Sequence, residues 1–317
     1  MNKPSTKNVA ASVRSRLLNI ARQTGMPFEG VLVLYGLERF LFRLSRSAHK
    51  GNFILKGGLL LIGLGFPQAR PTRDIDLVGT IPGDVDTVSQ AIQEIGRIEV
   101  DDGLVYDFTH MSYEAMSPHS EYPGARLKFV AQLGQARIPI QIDIGFGDEV
   151  VPAPKEMEFP TLLDMEPPLV NSYSLETIIA EKFEAALDLA DLNSRMKDFY
   201  DIWGLSRRFS FNGQLLQEAI VATCTRRKTT IRSNAEIFSN DFSDRPEKKA
   251  QWSAFANKGM IEDAPQDFVK VMSDLKKFLF PIARATERKE SFQAIWTKGG
   301  PWDTQKTDMS ENVTYYA

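Results

Sequence analysis

The sequence predicts an α+β protein: a sheet that carries an acidic site, with helices around it. Three observations lead there. Residues 137–146, RIPIQIDIGF, alternate, so Ile138, Ile140, Ile142 and Ile144 share one strand face, and Gln141, Asp143 and Gly145 share the other. Asp74-Ile75-Asp76 opens a second strand-like run, Asp74–Val78, with both carboxylates on one face and Ile75 turned into the core. Helical spacing dominates on either side, over residues 7–46 and from Ser174 to the region of Pro281.

At 317 residues the chain suits one large domain or two smaller ones around a shared cleft. Its 43% hydrophobic and 25% charged residues are ordinary for a globular protein. No apolar run is long enough to span a membrane, and the N-terminal stretch lacks a signal core. The single cysteine, Cys224, excludes an internal disulfide and a cysteine-based zinc cluster, and it reads as a buried helix residue. A cytoplasmic protein is expected. The net charge of −3 hides an asymmetry. Residues 1–50 carry nine basic side chains against two acidic, whereas residues 51–171 carry eight against eighteen. The basic head could hold a polyanion or simply offset the acidic stretch.

These shifts divide the chain into an N-terminal helical segment (1–50), a core (51–150), a connector with five prolines (151–171), a C-terminal helical domain (172–297) and a polar tail (298–317). In order, helices are predicted over 7–24, capped by Thr6 and stopped by Gly25, and over 27–46 with Pro27 in its first turn. After the short run Asn52–Leu55, Gly57-Gly58 begins a helix, Leu59–Gly65. Glycines at a helix start let a triphosphate approach free N–H groups; tight packing against a strand is the plainer explanation. Helix Val85–Ile98 follows the turn at Pro82–Asp84. Strands are predicted at Leu104–Met111, Ala125–Leu133 and Ile138–Phe146, the last two joined by a hairpin turn at Gly134-Gln135 and the first two by a loop, 112–124, on the cleft rim. Helix Leu175–Leu189, capped by Ser174, sets Lys182 beside an apolar stripe. Helix Ser194–Arg208 places Arg195, Asp198 and Asp201 at spacings that share a face. Further helices are expected near 213–225, 247–258 and 265–281. Trp252 and Phe255 read as core, and His110 and His119 as surface residues. Arg226-Arg227-Lys228 and Lys248-Lys249 are either RNA-facing clusters or solvated helix ends.

Asp74 and Asp76 held a few ångström apart repel each other. A divalent cation cancels that repulsion, and oxygen-only ligands suit Mg²⁺, which takes one or two carboxylates plus substrate phosphates. Asp143, an acid within a β-prone run, is either an ordinary solvent-facing residue or a third ligand brought in by a neighbouring strand.

A glycine pair entering a helix, a DxD strand and a third aspartate on a later strand resemble the polymerase-β-like nucleotidyltransferase fold. The longer text LKGG…RPTRDIDL is similar to one branch of it, the AbiEii/MenT-type nucleotidyltransferase toxins. Residues 181–202, EKFEAALDLADLNSRMKDFYDI, resemble that family's Lys…Arg-x-Lys-Asp-x-x-Asp block. The likeness covers roughly residues 50–280, and the ordered set of motifs is far more specific than a lone DxD. It implies a nucleotidyltransferase sheet with flanking helices and a C-terminal helical bundle. It also implies transfer of a nucleoside monophosphate from an NTP to a hydroxyl, with the tRNA 3′ end as acceptor, within a toxin–antitoxin or phage-defence pair whose antitoxin is encoded nearby. On that reading Asp74 and Asp76 hold Mg²⁺ on the triphosphate, and Asp143 joins them at a second Mg²⁺ that activates the acceptor hydroxyl. Gly57, Gly58 and Lys182 meet the β/γ-phosphates. Asp198 orients Lys182 or the nucleotide, and Asp201 belongs to the domain interface. Lys56 points to phosphate or to solvent. Arg73 neutralises Asp74 or touches a phosphate, and Arg70 lies on the same approach. Two rivals stand beside this reading: transfer to a small-molecule or protein hydroxyl, and a non-catalytic RNA- or partner-binding module.

Overall fold

The computed structural model describes residues 8–66, 72–116, 124–147, 150–259 and 265–305. The chain divides into two compact units. The first takes the described residues up to Gly63, those between 71 and 148, and Lys155–Ser172; the second takes the remainder.

The first unit is a seven-stranded mixed sheet with helices against it. Along the chain come α1 (Val9–Thr24), α2 (Phe28–Arg46), β1 (Phe53–Lys56), α3 (Gly57–Gly63), β2 (Ile75–Gly79), α4 (Val85–Gly96), β3 (Leu104–Met116), β4 (Gly124–Leu133), β5 (Ala136–Phe146), β6 (Lys155–Glu158) and β7 (Leu169–Ser172). The spatial order is β3-β4-β5-β2-β1-β7-β6. The β2–β5 and β1–β7 pairs are parallel, and the rest are antiparallel. The isoleucine alternation decides which face of β5 is dry: Ile138, Ile140, Ile142 and Ile144 are buried. At about 25 cal/mol per Å² of apolar surface, each such side chain contributes about 2 kcal/mol. Helix α2 lies on that face. A Cβ on Gly36 would stand 2.9 Å from Ile140 Cδ1, so glycine there permits the close approach, and the Tyr106 hydroxyl donates to the Gly36 carbonyl at 2.7 Å. Pro139 falls inside β5 at no cost in hydrogen bonding. It pairs with Val130 of β4 on one side, and β2 begins only opposite Ile142 on the other.

Several boundaries differ from the sequence prediction, each for a physical reason. The first turn of α1 is capped by Asn8, whose side chain accepts from Ala11 N; Thr6 lies outside the described residues. Gly25 stops the helix in a left-handed conformation, φ 72°, as expected. Helix α3 starts at Gly57 itself. Residues 112–116, predicted as loop, extend β3 past an irregularity after Asp107 because β4 offers continuous partners through Gly124; 117–123 lie outside the described residues. The stretch 151–171, read as a connector from its prolines, supplies β6 and β7, and Met157 and Phe159 pack against Gly63. Buried charges pin α2 to its surroundings. Arg43 forms a two-pronged pair with Asp102, at 2.6 and 3.0 Å, which buries the middle residue of the predicted turn at Asp101–Gly103.

The second unit is helical: α5 (Leu175–Leu189), α6 (Met196–Arg208), α7 (Gly213–Arg226), α8 (Asn240–Asp244), α9 (Pro246–Gly259) and α10 (Phe268–Glu287), with a small sheet of β8 (Phe211–Asn212), β9 (Ile295–Trp296) and β10 (Trp302–Asp303). Ser174 caps α5 by accepting from Thr177 N. Helix α10 runs on past Pro281, where the sequence reading ended it. Cys224 and Trp252 are buried, as read. The stretch 298–305, read as the start of a polar tail, is built in: the Trp302 ring stacks on Phe278, 5.6 Å between centroids, and its indole N–H donates to the Phe278 carbonyl at 2.9 Å.

Candidate active site

Five strands of the first unit bring charged residues into one row. The register pairs Lys56 with Asp76, Asp76 with Asp143, Asp143 with Arg126 and Arg126 with Glu114. Partners directly opposite in a ladder share a face, so all five lie on the side away from the buried isoleucines. Asp76 and Asp143 therefore stand side by side on adjacent parallel strands, about 4.8 Å apart along the hydrogen-bonding direction. Asp74 immediately precedes β2, and Asp74 and Asp76 are half-buried on either side of Ile75, which is 0% exposed.

Gly57 closes one side of this row. Its φ is +71°, and a Cβ there would fall 1.9 Å from Asp76 Oδ2. Only a hydrogen fits against that carboxylate, so the glycine is required by Asp76 as well as by the backbone. Gly58 is buried in the first turn of α3, a helix of seven residues.

Asp143 is engaged on both oxygens. Arg126 Nε donates to Oδ1 at 2.8 Å and Nη2 to Oδ2 at 2.6 Å, and Gln141 Nε2 approaches both at 3.3 and 3.4 Å. Hydrogen bonding to Asp143 and its charge push the Arg126 guanidinium above its ordinary pKa, and Glu114 and Asp74 add to the rise. Among the described residues no three His, Cys, Asp or Glu side chains stand grouped to hold a metal ion. The structure thus does not bring Asp74, Asp76 and Asp143 together as a single ligand set. By donor chemistry alone, Asp74 and Asp76 are of the kind Mg²⁺ takes, one or two carboxylates with phosphates and water completing its shell.

Arg73 is exposed and makes no ion pair with Asp74 among the described residues, which leaves contact with a phosphate of its two readings. It lines a 290 Å³ cavity with Val33, Thr72, Lys128, Ile140 and Gln141, in the notch where β2 has not yet begun beside β5. A ligand there would touch the residues that lead into Asp74. Arg70 lies outside the described residues.

In the second unit Lys182 Nζ, on α5, meets Asp198 Oδ1 at 2.7 Å and Asp201 Oδ2 at 2.8 Å, both on α6. Burial works against its charge, but Asp201 and Asp198 outweigh that and raise its pKa above the ordinary lysine value. Asp201 is buried and is a partner of this lysine. Most of the basic clusters considered for RNA have local partners: Arg227 pairs with Glu184 at 2.7 Å, Lys249 with Asp244 at 2.9 Å, and Lys248 is buried and donates to the Asp191 and Asn193 carbonyls.

The profile of one protein family, described as nucleotidyl transferase AbiEii toxin, Type IV toxin–antitoxin system, matches residues 39–287. The chain belongs to the AbiEii nucleotidyltransferase toxin family. As a member it is a nucleotidyltransferase with a nucleotide substrate and an antitoxin partner. Among solved structures, JHP933 of Helicobacter pylori aligns at 15% identity and TM-score 0.41, over 80% of this chain and 90% of that one. A second H. pylori protein, assigned provisionally to the nucleotidyltransferases, aligns at 17% and 0.42, over 82% and 98%. No curated protein matches the sequence. Among the described residues no helix is long and apolar enough to cross a membrane.

Arg126 and Glu114 are the members of the row that the sequence reading missed. The signal was present. Stepping back equally from the Gly134-Gln135 turn pairs Leu133 with Ala136 and, seven residues on, Arg126 with Asp143.

Proposed function

We propose that this AbiEii-family toxin moves a nucleoside monophosphate from an NTP to the 3′ hydroxyl of tRNA, with Mg²⁺, as a phage-defence effector of the MenT type. The observation that carries the siting is the Asp76 carboxylate against Gly57, in register with Asp143. It supports a carboxylate site at the sheet, held close to the backbone where α3 begins, at which a cation and its polyanion would meet. Asp74 and Asp76 are the residues to hold Mg²⁺, which when bound would offset charge on the triphosphate and the attacking oxygen. Gly57 lets the Asp76 carboxylate lie against the backbone at the start of α3. Lys182, held charged by Asp198 and Asp201, is the cation that the family pattern assigns to the β/γ-phosphates. The preference for tRNA rests on the motif resemblance.

A second reading, transfer to a small-molecule or protein hydroxyl, is favoured by the internal pairing of Arg227, Lys248 and Lys249, which withdraws three cations from any RNA surface. Labelled NTPs, offered one by one with total tRNA and Mg²⁺, separate the two. Ribonuclease-sensitive label that disappears in Asp76→Ala supports the tRNA acceptor. Label that survives ribonuclease, on protein or small molecule, replaces it.

A further inference from the structure

The row on the polar face poses an electrostatic problem. It carries three carboxylates, Glu114, Asp143 and Asp76, and a nucleotide or a nucleic acid is itself a polyanion. Such a substrate can settle on the row only if cations are interleaved with the acids. Two are, one on each side of the Asp76–Asp143 pair: Lys56 on β1 and Arg126 on β4. Arg126 is two strands, about 10 Å, from Asp76 between backbones. Its side chain is turned toward Asp143, the strand between them.

The contact uses only part of the guanidinium. Of five N–H donors, the Nε donor and one on Nη2 serve Asp143, while Nη1 makes no hydrogen bond among the described residues. The side chain is 33% exposed against 13% for Asp143, and the two bonds to the carboxylate fix the plane of the fork. A guanidinium held on one edge and open on the other is preorganised for a phosphate, to which arginine donates in pairs.

We propose that Arg126 binds a substrate phosphate at the transfer site and that Asp143 is its seat rather than a metal ligand. This rests on the nucleotidyl-transfer reading above. The phosphate belongs either to the NTP or to the acceptor strand, and the test has an arm for each.

The test is the double variant Arg126→Gln/Asp143→Asn, which keeps the net charge and replaces the ion pair by two amides of similar shape. NTP affinity is measured by calorimetry in EDTA, so that no metal ligand contributes, and KM for tRNA is measured with Mg²⁺. Arg126→Lys, which keeps the charge and loses the fork, is run beside it and decides the matter if the double variant does not fold. Loss of a charge-assisted pair of hydrogen bonds predicts about 10- to 100-fold weaker binding in one arm. Weaker NTP binding assigns the triphosphate, and a raised KM for tRNA assigns the acceptor. Wild-type values in both arms mean that Arg126 only neutralises Asp143, and the proposal fails. Should wild type itself not label tRNA, the acceptor assignment falls, but the EDTA arm still judges Arg126.

Discussion

Replacing Gly57 by alanine separates backbone strain from damage to the site. The residue has φ +71°, where an L side chain costs about 1–2 kcal/mol. The new Cβ would also lie 1.9 Å from Asp76 Oδ2, against the 3.0 Å below which real Cβ atoms essentially never come. The carboxylate must therefore withdraw by about 1 Å, and a displacement of that size costs about 100-fold in rate when the group positions a substrate. Gly25→Ala is the control, since Gly25 has φ +72° with nothing within 4 Å of its Cβ position. Urea unfolding should show both variants destabilised, Gly25→Ala by about 1–2 kcal/mol and Gly57→Ala by at least as much. The nucleotidyl-transfer assay should show about a 100-fold loss for Gly57→Ala alone. Transfer by Gly57→Ala within about threefold of wild type would refute the argument that Asp76 is held in working position by the missing side chain. So would an equal loss in Gly25→Ala.

Three further outcomes are expected. Lys182→Met leaves Asp198 and the buried Asp201 facing each other, so thermal unfolding should show about 2–3 kcal/mol lost, and adding Asp201→Asn should restore part of it; no recovery in the double variant contradicts the pairing. Arg43→Met strands Asp102, which is 0% exposed, and should cost about 3–5 kcal/mol in urea; a cost below about 1 kcal/mol means the pair is not the buried one seen. Burial raises the Glu38 carboxyl from 4.5 to about 7. The folded chain then keeps a proton that the unfolded chain releases, so this stabilisation is full below about 4.5 and is lost as pH rises through about 7, a change of order 3 kcal/mol. Glu38→Gln should flatten the difference between urea midpoints taken at about pH 5 and about pH 8, and an unchanged difference rules Glu38 out.

Much of the site could be read without coordinates, because it depends on spacing that a strand enforces. Asp74-Ile75-Asp76 and the Ile138–Ile144 alternation have period two, and period two fixes faces. The glycine pair, Lys182 and Asp198 were legible as motifs. Helices longer than three turns were also plain, since their apolar stripes are repeated signals. Short elements were harder. Strands β6 and β7 have four residues each in a proline-rich stretch, and β10 has two, so neighbours across the sheet decide them and local periodicity does not.

The α+β class, the family motifs and the face on which each acid lies could be read from the residues alone. Those depend on backbone geometry, which is local. That Asp76 and Asp143 are neighbours, that Arg126 occupies both oxygens of Asp143, and that Asp201 shares Lys182 with Asp198 came from the fold. Which charges meet depends on strand order and helix packing, and these are set by burial of apolar surface over the whole unit.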